Sequence, residues 1–421
     1  MVPDRVVTAC FGRWLQAAAR ATGSVRVPAP SAHDTGPLSA GRARWVRREP
    51  WGPHRAALMA RIVYLFRGGR ADLLRRIAGG VAPREFLYGY DAFVEAGWAT
   101  AFAECSTGDS LGFRRLLRPC ERAAATFLGI SFPLSTCVAH WGGIRDADIV
   151  ISTTDGTTFP LLVLKRMGWL RGRVIAITQG IYERIRALER RPGGLVRVRV
   201  LASLLREASQ LIVLGEGDGQ AVEDCLGHFG LPLVAVVQFG ADHDFWTPED
   251  VPSNNAILSV GSDHLRDFPT LLRAVGDLPL RIVTRLELPA SLLTPTVRVA
   301  SDIDDLGLRR LYQESRFVVV PIKNERRDSG HSVAVQAMAC GKAVVLSDTP
   351  GLWDREFMRD GETCRLVPPE NPEALRRVIR ELWDDAPQAE RIGRAARRLI
   401  EERWTSRHFG GHLVALARSL L

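Results

Sequence analysis

The chain has 421 residues, 46% hydrophobic and 24% charged, a globular composition long enough for two domains of ordinary size. No run approaches the ~18 consecutive apolar residues of a membrane span, and seven scattered Cys with no C-x-x-C pair exclude a disulfide frame or zinc site and imply reduced thiols in a cytoplasmic protein. The formal net charge is +9, and only three of the 56 basic residues are Lys (Lys165, Lys323 and Lys342). A surface so rich in Arg is drawn to nucleic acid or to anionic lipid, and no nucleic-acid-binding module supports the first.

Residues 1–58 hold nine Arg around a Pro/Ser/Gly/Ala-rich centre and read as a basic, partly disordered arm, with docking on an anionic membrane as the sharper alternative. Arg61 to Phe66 is the first core strand, and Arg67-Gly68-Gly69-Arg70 a glycine-rich turn after it. A helix is expected around Arg84 to Glu95, then a strand from Trp98 to Ala103. Ala147 to Ser152 is a buried strand whose carboxyl end carries the Thr153 to Thr158 cluster with Asp155, before a helix over Pro160 to Met167. Hydroxyls and one carboxylate at a strand end suit a sugar or an acceptor hydroxyl; they also suit a helix cap, with Thr157 or Thr158 capping and Pro160 near the first turn. Strands follow at Val174 to Thr178, Gln210 to Leu214 and Val234 to Gln238, with helices at Leu201 to Glu207 and Asp218 to Leu226 between them.

After a polar linker the pattern restarts. Ala256 to Gly261 is a strand ending on a glycine, as close approach to a ligand requires; Arg266 is the cation of the loop that follows, and Pro269 opens a helix over Thr270 to Val275. Arg285 ends the strand that begins at Arg281. Phe317 to Val320 is a strand buried on both faces. The loop from Lys323 to His331 leads into a helix over Val333 to Cys340, capped by Ser332 and ended by Gly341. Ala343 to Leu346 completes a parallel crossover, and its loop lies where a helix N-terminus attracts phosphate. Gln336 is the one polar residue on that apolar helix; it is either a core amide bonded to its neighbours or a group facing a ligand's hydroxyls. No G-x-G-x-x-G is present, which counts against a dinucleotide-dependent redox enzyme.

The stretch from Asp328 through Gln336 and Ala337-Met338-Ala339-Cys340-Gly341-Lys342-Ala343-Val344-Val345 resembles the donor-binding signature of retaining GT-B glycosyltransferases of family 4. Asp328 and Gln336 stand where that family has two Glu. Gly240-Ala241-Asp242 to Pro248 resembles its interdomain hinge, and Asp302-Ile303-Asp304 its contact with the nucleobase. The resemblance implies an α/β fold of GT-B architecture, two Rossmann-like doubly wound domains facing across a cleft. It implies an acceptor domain over 59–248, a donor domain over 256–403, and a final helix over 404–421 returning to the first domain. It implies transfer of a sugar from a nucleotide-diphosphate-sugar to an acceptor hydroxyl, small or lipid-linked, with retention and without metal or other cofactor. Asp328 and Asp155 are the expected catalytic residues; Gly261, Arg266, Arg285, Ile303, Lys323, Ser329, Gly330, His331, Ser332 and Gln336 are expected to hold the donor. Two rivals share the architecture. A sugar-nucleotide epimerase would need acid–base carboxylates or a His in the cleft, which the sequence does not place. A non-catalytic binding or scaffold protein is favoured by Asp328, Gln336 and the Ser262 that replaces the family's Arg.

Overall fold

A computed structural model describes residues 60–105, 112–232 and 234–421. The basic arm over 1–58 lies outside the described residues. Two six-stranded sheets, parallel throughout, form two lobes. The first contains β1 (Arg61–Phe66), β2 (Ala99–Glu104), β3 (Ile149–Ser152), β4 (Arg173–Ile177), β5 (Gln210–Val213) and β6 (Val234–Val236), in the order β2-β1-β3-β4-β5-β6. The second contains β7 (Ile257–Val260), β8 (Leu280–Val283), β9 (Val297–Ala300), β10 (Val318–Val320), β11 (Val344–Ser347) and β12 (Arg365–Val367), in the order β12-β11-β10-β7-β8-β9. The central strands are runs of Val, Ile and Leu buried on both faces, as helices on either side of a parallel sheet demand. The order in which strands are added reverses between β7 and β10, and ligands of such sheets bind at that switch point, outside the carboxyl ends.

Several elements differ from the sequence reading. The helix expected over Arg84–Glu95 is a single turn at Glu85–Leu87 and a short helix at Tyr90–Glu95; left-handed Tyr88 and Gly89 separate them. The helix after β3 starts at Asp155, so Pro160 is its sixth residue, and Thr157 and Thr158 turn their hydroxyls back to the Thr154 carbonyl instead of capping. Ser332 does not cap the crossover helix. That helix runs His331–Ala339, and Gly330, at φ 82°, occupies the cap without a side-chain bond.

One apolar core runs through both lobes by way of the junction, where Trp246, Trp353 and Trp404 are fully buried. The last helix, Ser406–Ser419, packs back on the first lobe, where Gly410 meets Gly89: a Cβ on Gly89 would lie 3.0 Å from the Gly410 Cα. No helix of the described residues is long and apolar enough to cross a membrane.

Candidate active site

The loops after β7 and β10 meet at the switch point of the second sheet. Arg266 lies between them, bridged to Ile322. Its guanidinium rests on two glycines: a Cβ on Gly261 would fall 2.0 Å from Nε, and one on Gly330 2.6 Å from Nη1. Both glycines have positive φ, at 144° and 82°, so each position needs glycine for backbone and for space. Arg266 is only 5% exposed, and its Nε and Nη1 have no hydrogen-bond partner. Burial pushes its pKa down to about 10, partly offset by Asp263. A buried cation with unmade hydrogen bonds is costly, and an anion docking beside it would remove that cost.

The same corner gathers other polar atoms that lack partners: Asp328 Oδ1, Ser329 Oγ, His331 Nε2 and Trp353 Nε1. His331 Nδ1 lies 2.7 Å from Asp328 Oδ2, and the two side chains are 6% and 5% exposed. The other predicted donor residues sit further out. Lys323 is exposed and donates to the His264 carbonyl at 2.9 Å. Arg285 is paired with Asp302 at 2.7 Å at the surface, and Ile303 is half-buried beside it. Ser332 is half-buried in the first turn of its helix.

Gln336 spends its amide inside the protein. Nε2 donates to Glu85 Oε1 of the first lobe at 3.0 Å, and Oε1 accepts from the Tyr312 hydroxyl at 3.3 Å. Glu85 also accepts from Trp246 Nε1 at 2.7 Å and from the Asp242 backbone N–H at 3.2 Å. Burial pushes the Glu85 carboxyl up to about 7 against those donors. The core reading of Gln336 therefore describes this geometry, with a carboxylate of the other lobe as partner instead of a neighbouring backbone group.

The first lobe closes on this corner through the loops at the ends of β3, β4 and β5. Asp155 is 7% exposed, accepts from the Gln179 backbone N–H at 3.3 Å, and is pushed up to about 6 by burial. Asp218 accepts from the Asp328 backbone N–H at 3.2 Å across the seam. Arg327 pairs with Glu183 of the first lobe at 3.2 Å and with Asp263 of its own lobe at 3.0 Å. Gly215 packs against the main chain and Cβ of Trp353, where a Cβ would lie 2.9 Å from the Trp353 Cα. The seam thus brings together Asp155, Asp328, His331 and Arg266, with Arg285, Ile303 and Lys323 at its margin. Glu85, Asp218, Arg327 and Trp353 were not singled out from sequence. Only Asp218 carried a legible signal there, as the one Asp in the glycine-rich run Gly215–Gly219 at a strand end.

Asp218 gives a test of the seam. Its carboxyl is pushed up to about 7, by burial first and by Asp328 second. The folded molecule then holds a proton that the unfolded chain has released, so stability is fullest below the ordinary carboxylate range and is lost as pH rises towards 7. An Asp218→Asn variant keeps the oxygen that accepts from Asp328 and removes the proton. Its melting temperature is expected to exceed the parent's at pH 8, by an amount equivalent to about 2–4 kcal/mol, and to lose that advantage at pH 4. A pH-independent difference between the two melting curves would refute the assignment.

Residues 262–385 match the family described as glycosyl transferases group 1. Among curated proteins the chain is 26% identical over 277 residues to the MMP alpha-(1->4)-mannosyltransferase of Mycolicibacterium hassiacum, the match covering 61% of this chain and 65% of that one. It is 30% identical over 140 residues to the D-rhamnosyltransferase WbpZ of Pseudomonas aeruginosa, covering 33% of this chain and 35% of that one. The match therefore spans just under two thirds of the first relative and about a third of the second. Among solved structures, sucrose-phosphate synthase from Thermosynechococcus elongatus superposes with a TM-score of 0.62 at 17% identity, over 86% of this chain and 99% of that one. Anabaena Alr3699/HepE in complex with UDP-glucose gives 0.61 at 15% identity, over 85% and 99%. With the two sheets, these neighbours establish the two-domain α/β architecture as GT-B.

Proposed function

We propose that this chain is a glycosyltransferase that moves a hexose from a nucleotide-diphosphate-sugar to an acceptor hydroxyl. The observation that carries the reading is the buried guanidinium of Arg266, unpartnered at Nε and Nη1 and set on Gly261 and Gly330 beside the N-terminus of the His331–Ala339 helix. A diphosphate supplies the acceptor oxygens those donors lack, and the helix amides add to its attraction. The second lobe holds the donor, with Ser329, Gly330, His331 and Ser332 near the phosphates and Arg285 and Ile303 towards the base. The first lobe offers Asp155 and Asp218 to the acceptor. Stabilising the departing diphosphate lowers the barrier, and lobe closure keeps water from the donor. The remaining features are family 4 membership, retention at the anomeric carbon, no metal or other cofactor, and work in the cytoplasm on a small or lipid-linked acceptor. The match of residues 262–385 and the transferase names of the relatives support the glycosyl-transfer reaction itself.

A sugar-nucleotide epimerase has one observation in its favour: Asp155 and Asp218 are buried carboxyls at the cleft, pushed up to about 6 and about 7. Calorimetric titration with UDP-, GDP-, ADP- and dTDP-sugars, followed by product analysis, separates the readings. Binding of one donor with slow hydrolysis and no epimer is the expected result. Epimer formation would replace the transferase reading, and no binding by any of the four would leave a scaffold protein.

A further inference from the structure

We propose that His331 and Asp328 form an acid–base dyad, in which Nε2 of His331 delivers a proton to the departing diphosphate and Asp328 acts as a positioning residue that holds the ring. The inference rests on the glycosyltransferase reading and adds a proton carrier to it.

The ring is fixed on three sides. Nδ1 lies 2.7 Å from Asp328 Oδ2. One face stacks on Trp353, with centroids 4.3 Å apart and planes 12° apart, and Phe239 meets the ring edge-on at 6.0 Å. Nε2 is buried and has no partner. An imidazole locked at one nitrogen and free at the other is arranged for proton transfer. His331 is the first residue of its helix, and Arg266 Nη1 lies against the preceding Gly330. A diphosphate docked at this corner brings negative charge to Nε2 and favours the imidazolium.

The bond between the anomeric carbon and the phosphate oxygen breaks, and its electron pair stays on that oxygen, which takes the proton from Nε2. The acceptor oxygen bonds to the anomeric carbon and loses its own proton, which returns to Nε2. Asp328 is thereby given to His331 instead of to the sugar.

Proton linkage tests this without knowing the acceptor. If the bound diphosphate favours the imidazolium, binding takes up a proton. The charged groups around the ring are Asp328 and Arg266 of its own lobe, Asp218 and Asp155 of the first, and Arg327, paired with Glu183 and Asp263. UDP, GDP, ADP and dTDP would be titrated calorimetrically at pH 7.5–8 in buffers of differing ionisation enthalpy. For whichever nucleotide binds, uptake of roughly half to one proton is expected. His331→Gln should bind it with uptake near zero, and Asp328→Asn should move the uptake to lower pH. Single-turnover cleavage of the matching nucleotide sugar should slow by about 10²-fold or more in His331→Gln. Binding without uptake overturns the dyad and leaves the transferase reading standing. Uptake unchanged in His331→Gln assigns the proton to Asp218 or Asp155 and also overturns it. Failure of all four nucleotides to bind removes the transferase reading and the dyad together.

Discussion

Replacing Arg266 with Met is expected to raise the protein's stability while removing its affinity for nucleotide sugars. The two effects have one cause. Arg266 is 5% exposed, and neither Nε nor Nη1 makes a hydrogen bond. The acid that most offsets its burial, Asp263, is itself paired with Arg327 and lies 3.2 Å from His264. A buried cation in that state is a standing cost, and an unbranched thioether of similar length would fill the channel between Gly261 and Gly330 without it. The gain in unfolding free energy should be about 1–3 kcal/mol, at the modest end of what replacement of buried charges gives. Loss of two charge-assisted bonds to a diphosphate should weaken nucleotide binding by about 10²–10³-fold or more. Denaturant melts and calorimetry on the same preparation measure both. A lower stability with unchanged affinity would mean that the guanidinium is a structural strut, and the phosphate site would have to lie elsewhere.

The central strands β3, β7, β10 and β11 were legible because each is a short run dominated by Val, Ile and Leu, a pattern local enough to read. Gly261 and Gly341 carried their backbone conformations in the sequence: both are at positive φ, at 144° and 72°. The resemblance placed the carboxyl-end loops of β7 and β10 at one ligand corner, and Arg266 stood out as the cation of its loop. The helix starts were less legible. Asp155 and His331 begin their helices after Thr154 and Gly330 with no side-chain cap bond, so Thr157, Thr158 and Ser332 drew attention that the backbone does not use.

What could not be read was the lobe-to-lobe seam. Glu85 sits in a single helical turn with no periodicity, and its meaning comes from Gln336, 251 residues away, and Trp246, 161 away. Arg327 looks like one of many solvated arginines until Glu183 and Asp263 close on it. Composition and spacing describe each lobe by itself. The partners that decide whether a polar side chain is spent or free come largely from the other lobe, and here they tie Gln336 to Glu85 and the Asp328 backbone to Asp218.

The Glu85–Gln336 pair yields the second large effect. A Gln336→Glu change installs the acid that the resemblance places at this position, and it is expected to be severely destabilising at neutral and higher pH. Two carboxyls would then meet where Nε2 and Oε1 now lie 3.0 Å apart, in a site where Glu85 is already pushed up to about 7. Both cannot ionise there, and Trp246 Nε1 and the Asp242 N–H still require an acceptor. The cost should reach about 3–5 kcal/mol at pH 8.5, the usual range for an uncompensated buried charge. The sign follows from the proton. The folded variant must keep a carboxyl protonated that the unfolded chain ionises, so the deficit grows as pH rises from the ordinary carboxylate range and shrinks at pH 5.5, where the pair can share one proton. Glu85→Gln in the same chain re-creates an amide–carboxylate pair with its ends exchanged and should recover most of the loss, short of the bond from Trp246 Nε1, which meets the same oxygen as residue 336 and which an amide nitrogen there cannot accept. Urea melts of the parent, both single variants and the double variant at pH 5.5 and 8.5 give the coupling directly. If Gln336→Glu left stability untouched at pH 8.5 and altered only nucleotide affinity, the side chain would be facing a ligand's hydroxyls and not the first lobe.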